Sequence, residues 1–206
     1  MLVIVWAVNF GISWWNARCC GKAWVETKHI GGWQRFMNWM GAIMSASGFT
    51  WCYLFLLVLL AYHFQPSYLK PGQAPIITGN TVSAAISLGY LILLPGFLFS
   101  GLMIWLDSLV NAWRQRDLPS IGRAAWNTYA QIHNTYSAYS GVSGAMSSLK
   151  KFFAGDSKDS KNGGGLIVIL LVALALLGGV LTTWGIISHY AATEPLPARM
   201  PEPQPA

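Results

Sequence analysis

The sequence predicts an all-α polytopic membrane protein, with about four transmembrane helices and one amphipathic cytoplasmic helix. Three observations carry that expectation. Only 10% of the 206 residues are charged and 54% are hydrophobic, whereas a soluble globular domain carries about 25% charged residues. The apolar residues gather into long uncharged runs. The segments between those runs are alternately rich and poor in lysine and arginine.

The first element is a short N-terminal anchor over 1–20. Its apolar part, Met1 to Trp15, crosses a ~30 Å hydrocarbon core only if the segment to Cys20 extends it, at about 1.5 Å per residue. No positive charge precedes it, and Arg18 and Lys22 follow it. That order suits an uncleaved anchor with a translocated N-terminus better than a signal peptide. A basic loop over 21–35 comes next. Spans follow over 36–62, 82–106 and 166–188, each free of Asp, Glu, Lys and Arg; each exceeds the roughly 20 apolar residues a bilayer core requires.

Orientation is read from the positive charges. Arg18, Lys22, Lys28 and Arg35 flank the first loop, and seven lysines and arginines lie in 107–165, whereas 63–81 holds only Lys70 and 189–206 only Arg199. Cytoplasmic segments are the lysine- and arginine-rich ones. Four spans then put the N-terminus outside, the long segment 107–165 inside, and the C-terminal tail outside, in a periplasm if the membrane is a bacterial inner membrane. The net charge of +6 is read as this topology signal, not as a nucleic-acid surface. Tryptophans fit interfacial belts: Trp14, Trp15, Trp24, Trp33 and Trp39 around the first loop, Trp105 and Trp113 at the inner end of the third span, and Trp184 with Tyr190 at the outer end of the fourth. Trp51 sits mid-span and is expected to pack on another helix.

Within the spans, small residues recur at helical spacing: Gly41, Ser45 and Gly48; Ala85 and Gly89; Gly96 and Ser100; Gly178, Thr182 and Gly185. Such stripes let helix backbones approach closely in lipid. Pro95-Gly96 predicts a kink, because proline removes a backbone donor and crowds the carbonyl of Leu91.

Outside the spans, 63–81 is a proline-punctuated outer loop, 156–165 a flexible linker, and 189–206 a proline-rich tail of extended character. Between Pro119 and Phe153 lies one helix. It contains WNTYAQIHNTYSAYS, residues 126–140, in which Asn-Thr-Tyr occurs twice, seven residues apart. Ala125, Ile132, Tyr139, Met146 and Phe153 recur every seven residues, with Tyr129 and Tyr136 between them. The resulting stripe reads as a contact surface, on the membrane, on the bundle or on a partner.

The sequence offers little for catalysis. No ionisable residue lies at mid-depth, where proton and ion pathways usually place one; His63, Asp107 and His189 stand at helix ends. Gly141-Val-Ser-Gly144 has no paired histidine at helical depth, and the lysine- and glycine-bearing linker lacks the order of a phosphate loop. Cys19, Cys20 and Cys52 have no metal-ligand spacing and are expected as free thiols. No catalytic, cofactor or metal residues are therefore assigned. The expected partners are the bilayer and other membrane proteins or further copies, not nucleic acid. The functional expectation is a non-enzymatic subunit or scaffold of a larger envelope complex, of secretion or conjugation type or phage-encoded. An oligomeric pore is the first alternative, and a small transporter or membrane enzyme the second.

Overall fold

The structure is a computed structural model that describes residues 2–27, 32–64, 77–154 and 164–193. Most of the proline-punctuated loop, the flexible linker and the proline-rich tail lie outside these residues. So do Lys28, Lys70, Lys158, Lys161 and Arg199. Five helices make up the fold: α1 (Leu2–Thr27), α2 (Gly32–Phe64), α3 (Gly79–Gln115), α4 (Leu118–Phe153) and α5 (Gly165–Thr193). Helices α2, α3 and α5 are long and apolar enough to cross a membrane, and the chain is an all-α membrane protein. Helix α1 extends beyond the expected anchor, continuing through Arg18 and Lys22.

Local chemistry sets the helix starts. Thr78 caps α3, its hydroxyl accepting from the backbone N–H of Asn80 and Thr81, and the Thr81 side chain completes a capping box. Asp117 caps α4 by accepting from the Ser120 N–H at 2.9 Å, with Pro119 in the first turn. Between them, α3 ends on Arg116 in the left-handed conformation, φ 52°. Only Arg116 and Asp117 separate α3 from α4, so the chain must double back at once; short links make antiparallel neighbours. Helix α3 is assigned without interruption across Pro95.

Side-chain contacts fix the direction of every helix. On α2, Cys52 meets Trp6 of α1 while Gly41 meets Asn16, so α1 and α2 are antiparallel. Leu54 lies beside Gly89 and Ile43 beside Gly96, so α2 and α3 are antiparallel. Trp105 bonds Thr128 and Tyr90 bonds Ala138, so α3 and α4 are antiparallel along most of their length. Leu54 and Val58 of α2 join Val168 and Val172 of α5 in one core cluster, and Ala42 joins Ile187 in another. Helix α5 therefore runs antiparallel to α2. One end of the bundle gathers Thr27, Gly32, Gln115, Leu118 and Thr193. The other gathers the start of α1 with Phe64, Gly79, Phe153 and Gly165.

This departs from the expected course in one respect with several consequences. With 107–165 held on a single side, α5 would run parallel to α2 and the tail would leave opposite the first loop. Instead α4 traverses the bundle, and its Phe152 packs in the core cluster with Ala84 and Ala85 at the start of α3. Thr193, Trp184 and Tyr190 consequently share an end with Trp14, Trp24 and Trp39, and His63 and His189 lie at opposite ends, not together.

Candidate functional site

Four arrangements in the bundle bear chemistry, and the first joins α1 to α2. Asn16 Nδ2 donates to Gly41 O at 2.8 Å and to Ser45 Oγ at 2.9 Å. Asn9 Nδ2 donates to Gly48 O and to Cys52 Sγ, both at 3.4 Å. Trp6 Nε1 donates to Cys52 O and Asn38 Nδ2 to Cys20 O, each at 3.0 Å. Such interhelical bonds act as polar glue where lipid supplies no hydrophobic drive for helix association. Residues 6, 9 and 16 recur on one face of α1, a signal of polar spacing that a search for apolar runs passes over.

The small residues proposed from spacing sit as follows. A Cβ on Gly41 would stand 2.6 Å from Cys20 Sγ; one on Gly48 would meet Ser13, and one on Gly89 would meet Leu54. Ser45, Ala85 and Ser100 are buried. A Cβ on Gly178 would lie 3.2 Å from the Tyr53 ring, and Tyr53 Oη and Thr182 Oγ1 are 2.8 Å apart. Gly185 is different: no atom lies within 4 Å of its Cβ position. The close approach in α5 belongs instead to Gly179, whose Cβ would stand 2.8 Å from the Ala46 carbonyl oxygen. Pro95-Gly96 lies near α2, with Ile43 Cγ2 3.6 Å from the Gly96 Cβ position. Trp51 faces Tyr90 of α3, with ring centroids 6.4 Å apart.

The third arrangement is α4. Its inward seam is Ala124, Ala138, Ala145 and Phe152, all buried, with Gln131 and Gly141 between them. Trp105 Nε1 donates to Thr128 Oγ1 at 2.8 Å, and Tyr90 Oη donates to the carbonyls of Ser137 and Ala138 at 3.3 and 3.5 Å. The predicted stripe is the opposite face: Tyr129, Ile132, Tyr136, Tyr139, Met146 and Phe153 are all exposed, Tyr139 to 84%. Tyr129 stacks on His133 at 6.2 Å. The side chains of Tyr129, His133, Tyr136 and Tyr139 have no hydrogen bond among the described residues. The hydroxyls of Thr135, Ser140 and Ser143, by contrast, donate to carbonyls three or four residues back. Ser143 of the glycine-serine motif is thus engaged by its own helix.

Fourth is a cationic group at the end shared by α1 and α5. The Arg18 guanidinium carbon stands 5.7, 5.2 and 5.4 Å from the ring centroids of Trp14, Trp15 and Tyr190. Trp24 stacks edgewise on Trp39 and Trp184 nearby. In the sequence Arg18 is legible only as a charge; the rings around it come partly from α5, Tyr190 lying 172 positions away.

The ionisable residues at helix ends do not converge. Asp107 accepts from Trp33 Nε1 at 2.8 Å and from Asn111 Nδ2 at 3.0 Å. His189 stacks on its neighbour Tyr190, and His63 on Phe64. The three cysteines are free. Among the described residues no three His, Cys, Asp or Glu side chains gather as metal ligands. A cleft of about 680 Å³ opens between α1 and α2, lined by Ile4, Val8, Asn9, Ile12, Trp51 and Phe55 among others. A second of about 210 Å³ continues it toward Tyr90 and Phe97. Both are lateral and mainly apolar. No family model, curated protein or solved structure matches the chain.

Proposed function

We propose that the chain is a non-enzymatic multi-pass subunit or scaffold of a larger bacterial inner-membrane assembly, of secretion or conjugation type or phage-encoded. The supporting observation is the outward face of α4. That helix lies alongside α3, a candidate membrane span, from Trp105 to Ala84. From Ala124 to Leu149 it carries no Asp, Glu, Lys or Arg, about 39 Å of helix against a ~30 Å hydrocarbon core. We therefore take α4 to cross the bilayer. Its tyrosine hydroxyls and His133 then face outward at membrane depth with no side-chain hydrogen bond among the described residues, and a hydroxyl in hydrocarbon without a hydrogen bond costs several kcal/mol, roughly 4–8 on the cyclohexane scale. Another protein surface satisfies them.

The charges give this bundle a direction. Among the described residues Arg18, Lys22, Arg35, Arg114, Arg116 and Arg123 lie at the end holding Thr193, and Lys150 and Lys151 at the other. Arginine and lysine abundance marks the cytoplasmic side, so the reading sets the N-terminus outside and the C-terminal tail inside. Single cysteines at Gly122, Ala154 and Ala192, in a background lacking Cys19, Cys20 and Cys52, test it. Gly122→Cys and Ala192→Cys should resist an impermeant thiol reagent applied outside, and Ala154→Cys should react. Equal reactivity of Gly122→Cys and Ala154→Cys would return α4 to one side of the membrane. For the subunit reading, native-detergent mass determination with crosslinking at Tyr136 should capture another gene product; a clean monomer counts against it.

A pore is the second reading, favoured by the exposed Ser137, Ser140, Gly144 and Ser147 on the same helix. A ring of α4 helices would line a water path with these groups. Ion flux in proteoliposomes would support it, and silence across voltage and pH would remove it.

A further inference from the structure

The group around Arg18 has a chemistry that the bundle does not use. Three aromatic rings, Trp14 and Trp15 from α1 and Tyr190 from α5, stand within 6 Å of its guanidinium carbon, the range of cation–π attraction. Ring faces offset the charge, but they do not replace strong acceptors for guanidinium N–H groups. Arg18 Nε is buried with no hydrogen-bond partner, and the side chain has no hydrogen bond or ion pair among the described residues. An arginine held in place by rings, with its donors unused, is prepared for a bidentate oxyanion.

Position narrows the oxyanion. Arg18 lies sixteen residues beyond Leu2, about 24 Å along α1, close to the thickness of a ~30 Å hydrocarbon core. The surrounding Trp24, Trp39 and Trp184 form an aromatic belt of the kind that marks the headgroup level. Trp15 is 57% exposed on the outer surface of the bundle, so the group opens sideways toward lipid. We infer that Arg18, caged by Trp14, Trp15 and Tyr190, binds the phosphate of an anionic phospholipid headgroup. The proposed direction puts this site at the cytoplasmic leaflet, where anionic lipids attract basic groups.

The inference rests on the membrane reading, and one experiment separates the two failures. The full chain is reconstituted into nanodiscs of phosphatidylcholine, with or without phosphatidylglycerol, and analysed by native mass spectrometry and thermal melting. Failure to incorporate into the bilayer overturns the membrane reading itself. Incorporation with retained phosphatidylglycerol adducts and a raised melting temperature is the expected result. Arg18→Lys keeps the charge but loses the fork, and should lower retention roughly tenfold, as expected for losing charge-assisted bonds. Tyr190→Phe keeps the ring and should retain lipid; Tyr190→Leu should not. Lys150→Gln, at the far end, should change nothing. Equal retention by the wild type and Arg18→Lys overturns the site. Stabilisation by inorganic phosphate alone, equal to that by phosphatidylglycerol, overturns the lipid assignment.

Discussion

Helices α3 and α4 are 37 and 36 residues long and separated by two residues, yet only α3 is apolar enough to be taken for a membrane span. Their inward faces are alike. Ala84, Ala85 and Ser100 are buried on α3, and Ala124, Ala138 and Ala145 on α4. Their outward faces differ. On α3 the exposed residues include Ile92, Phe99, Leu106 and Val110; on α4 they include Tyr129, Tyr136 and Tyr139. Packing between membrane helices depends on small residues that let backbones approach, whereas hydropathy is set by whatever the outward side faces. A helix can therefore pack like a span while its composition reads as polar, and the outward face then reports what surrounds it.

The strongest way to break that equivalence is to unseat the far end of α4. Phe152 is 2% exposed and packs with residues of α2, α3 and α5, while its neighbour Phe153 is 49% exposed. Phe152→Ala should destabilise the bundle by about 3 kcal/mol, the low end of the range for buried phenylalanine because lipid replaces water outside. Phe153→Ala should leave stability nearly unchanged. Reversible detergent unfolding measures both; equal effects would mean that α4 does not dock at its C-terminal end.

Next in size is the seam itself. A Cβ on Gly141 would stand 2.6 Å from Tyr90 Oη and 2.8 Å from Cζ, whereas Gly144 has open space. Gly141→Leu should cost about 2 kcal/mol through overpacking, and Gly144→Leu little. Tyr90→Phe removes the bonds to the Ser137 and Ala138 carbonyls and should cost about 0.6 kcal/mol, typical of a bond between membrane helices. On the outward face the comparison inverts. Tyr129→Ser with Tyr136→Ser should leave unfolding unchanged and abolish the assembly seen by native-detergent mass determination; intact assembly would leave the Asn-Thr-Tyr echo without a role.

Much of this was legible in the sequence, and the exceptions have physical causes. Uncharged runs identified α2, α3 and α5, because twenty apolar residues in a row have few other uses. The limits of α4 followed from Pro119 and from the linker's glycines. Tyr129, Ile132, Tyr136 and Tyr139 are all exposed on α4. The buried seam of Ala124, Ala138 and Ala145 was not legible, since these residues carry no hydropathy signal against the larger ones beside them. The direction of α5 depended wholly on whether α4 traverses the bundle, and the clue was the brevity of the Arg116-Asp117 link. The Arg18 cage needed Tyr190, which only the reversed α5 brings to it.

The smallest expected effect lies at that link, where α3 hands over to α4. Asp117 is exposed, and its carboxylate sits beside the Ser120 side chain and accepts a hydrogen bond from the Ser120 backbone N–H. These hold its pKa below the ordinary 3.8, the nearby Arg123 charge adding to them. Bonding that favours the charged form stabilises the folded state wherever the carboxylate is ionised. The contribution is therefore present above the unfolded value near 3.8 and disappears as the pH falls through the lower folded value. Amide exchange in the first turn of α4, from Ser120 to Gly122, should speed up over that acidic window once corrected for intrinsic exchange rates. Asp117→Ala should speed it at neutral pH, and Asp117→Asn, which keeps a capping oxygen, should hold it near wild type and remove the pH dependence. Because the cap is exposed, global unfolding should barely move. A large loss of global stability in Asp117→Ala would instead mean that the hairpin, and with it the pairing of α3 with α4, depends on this one side chain.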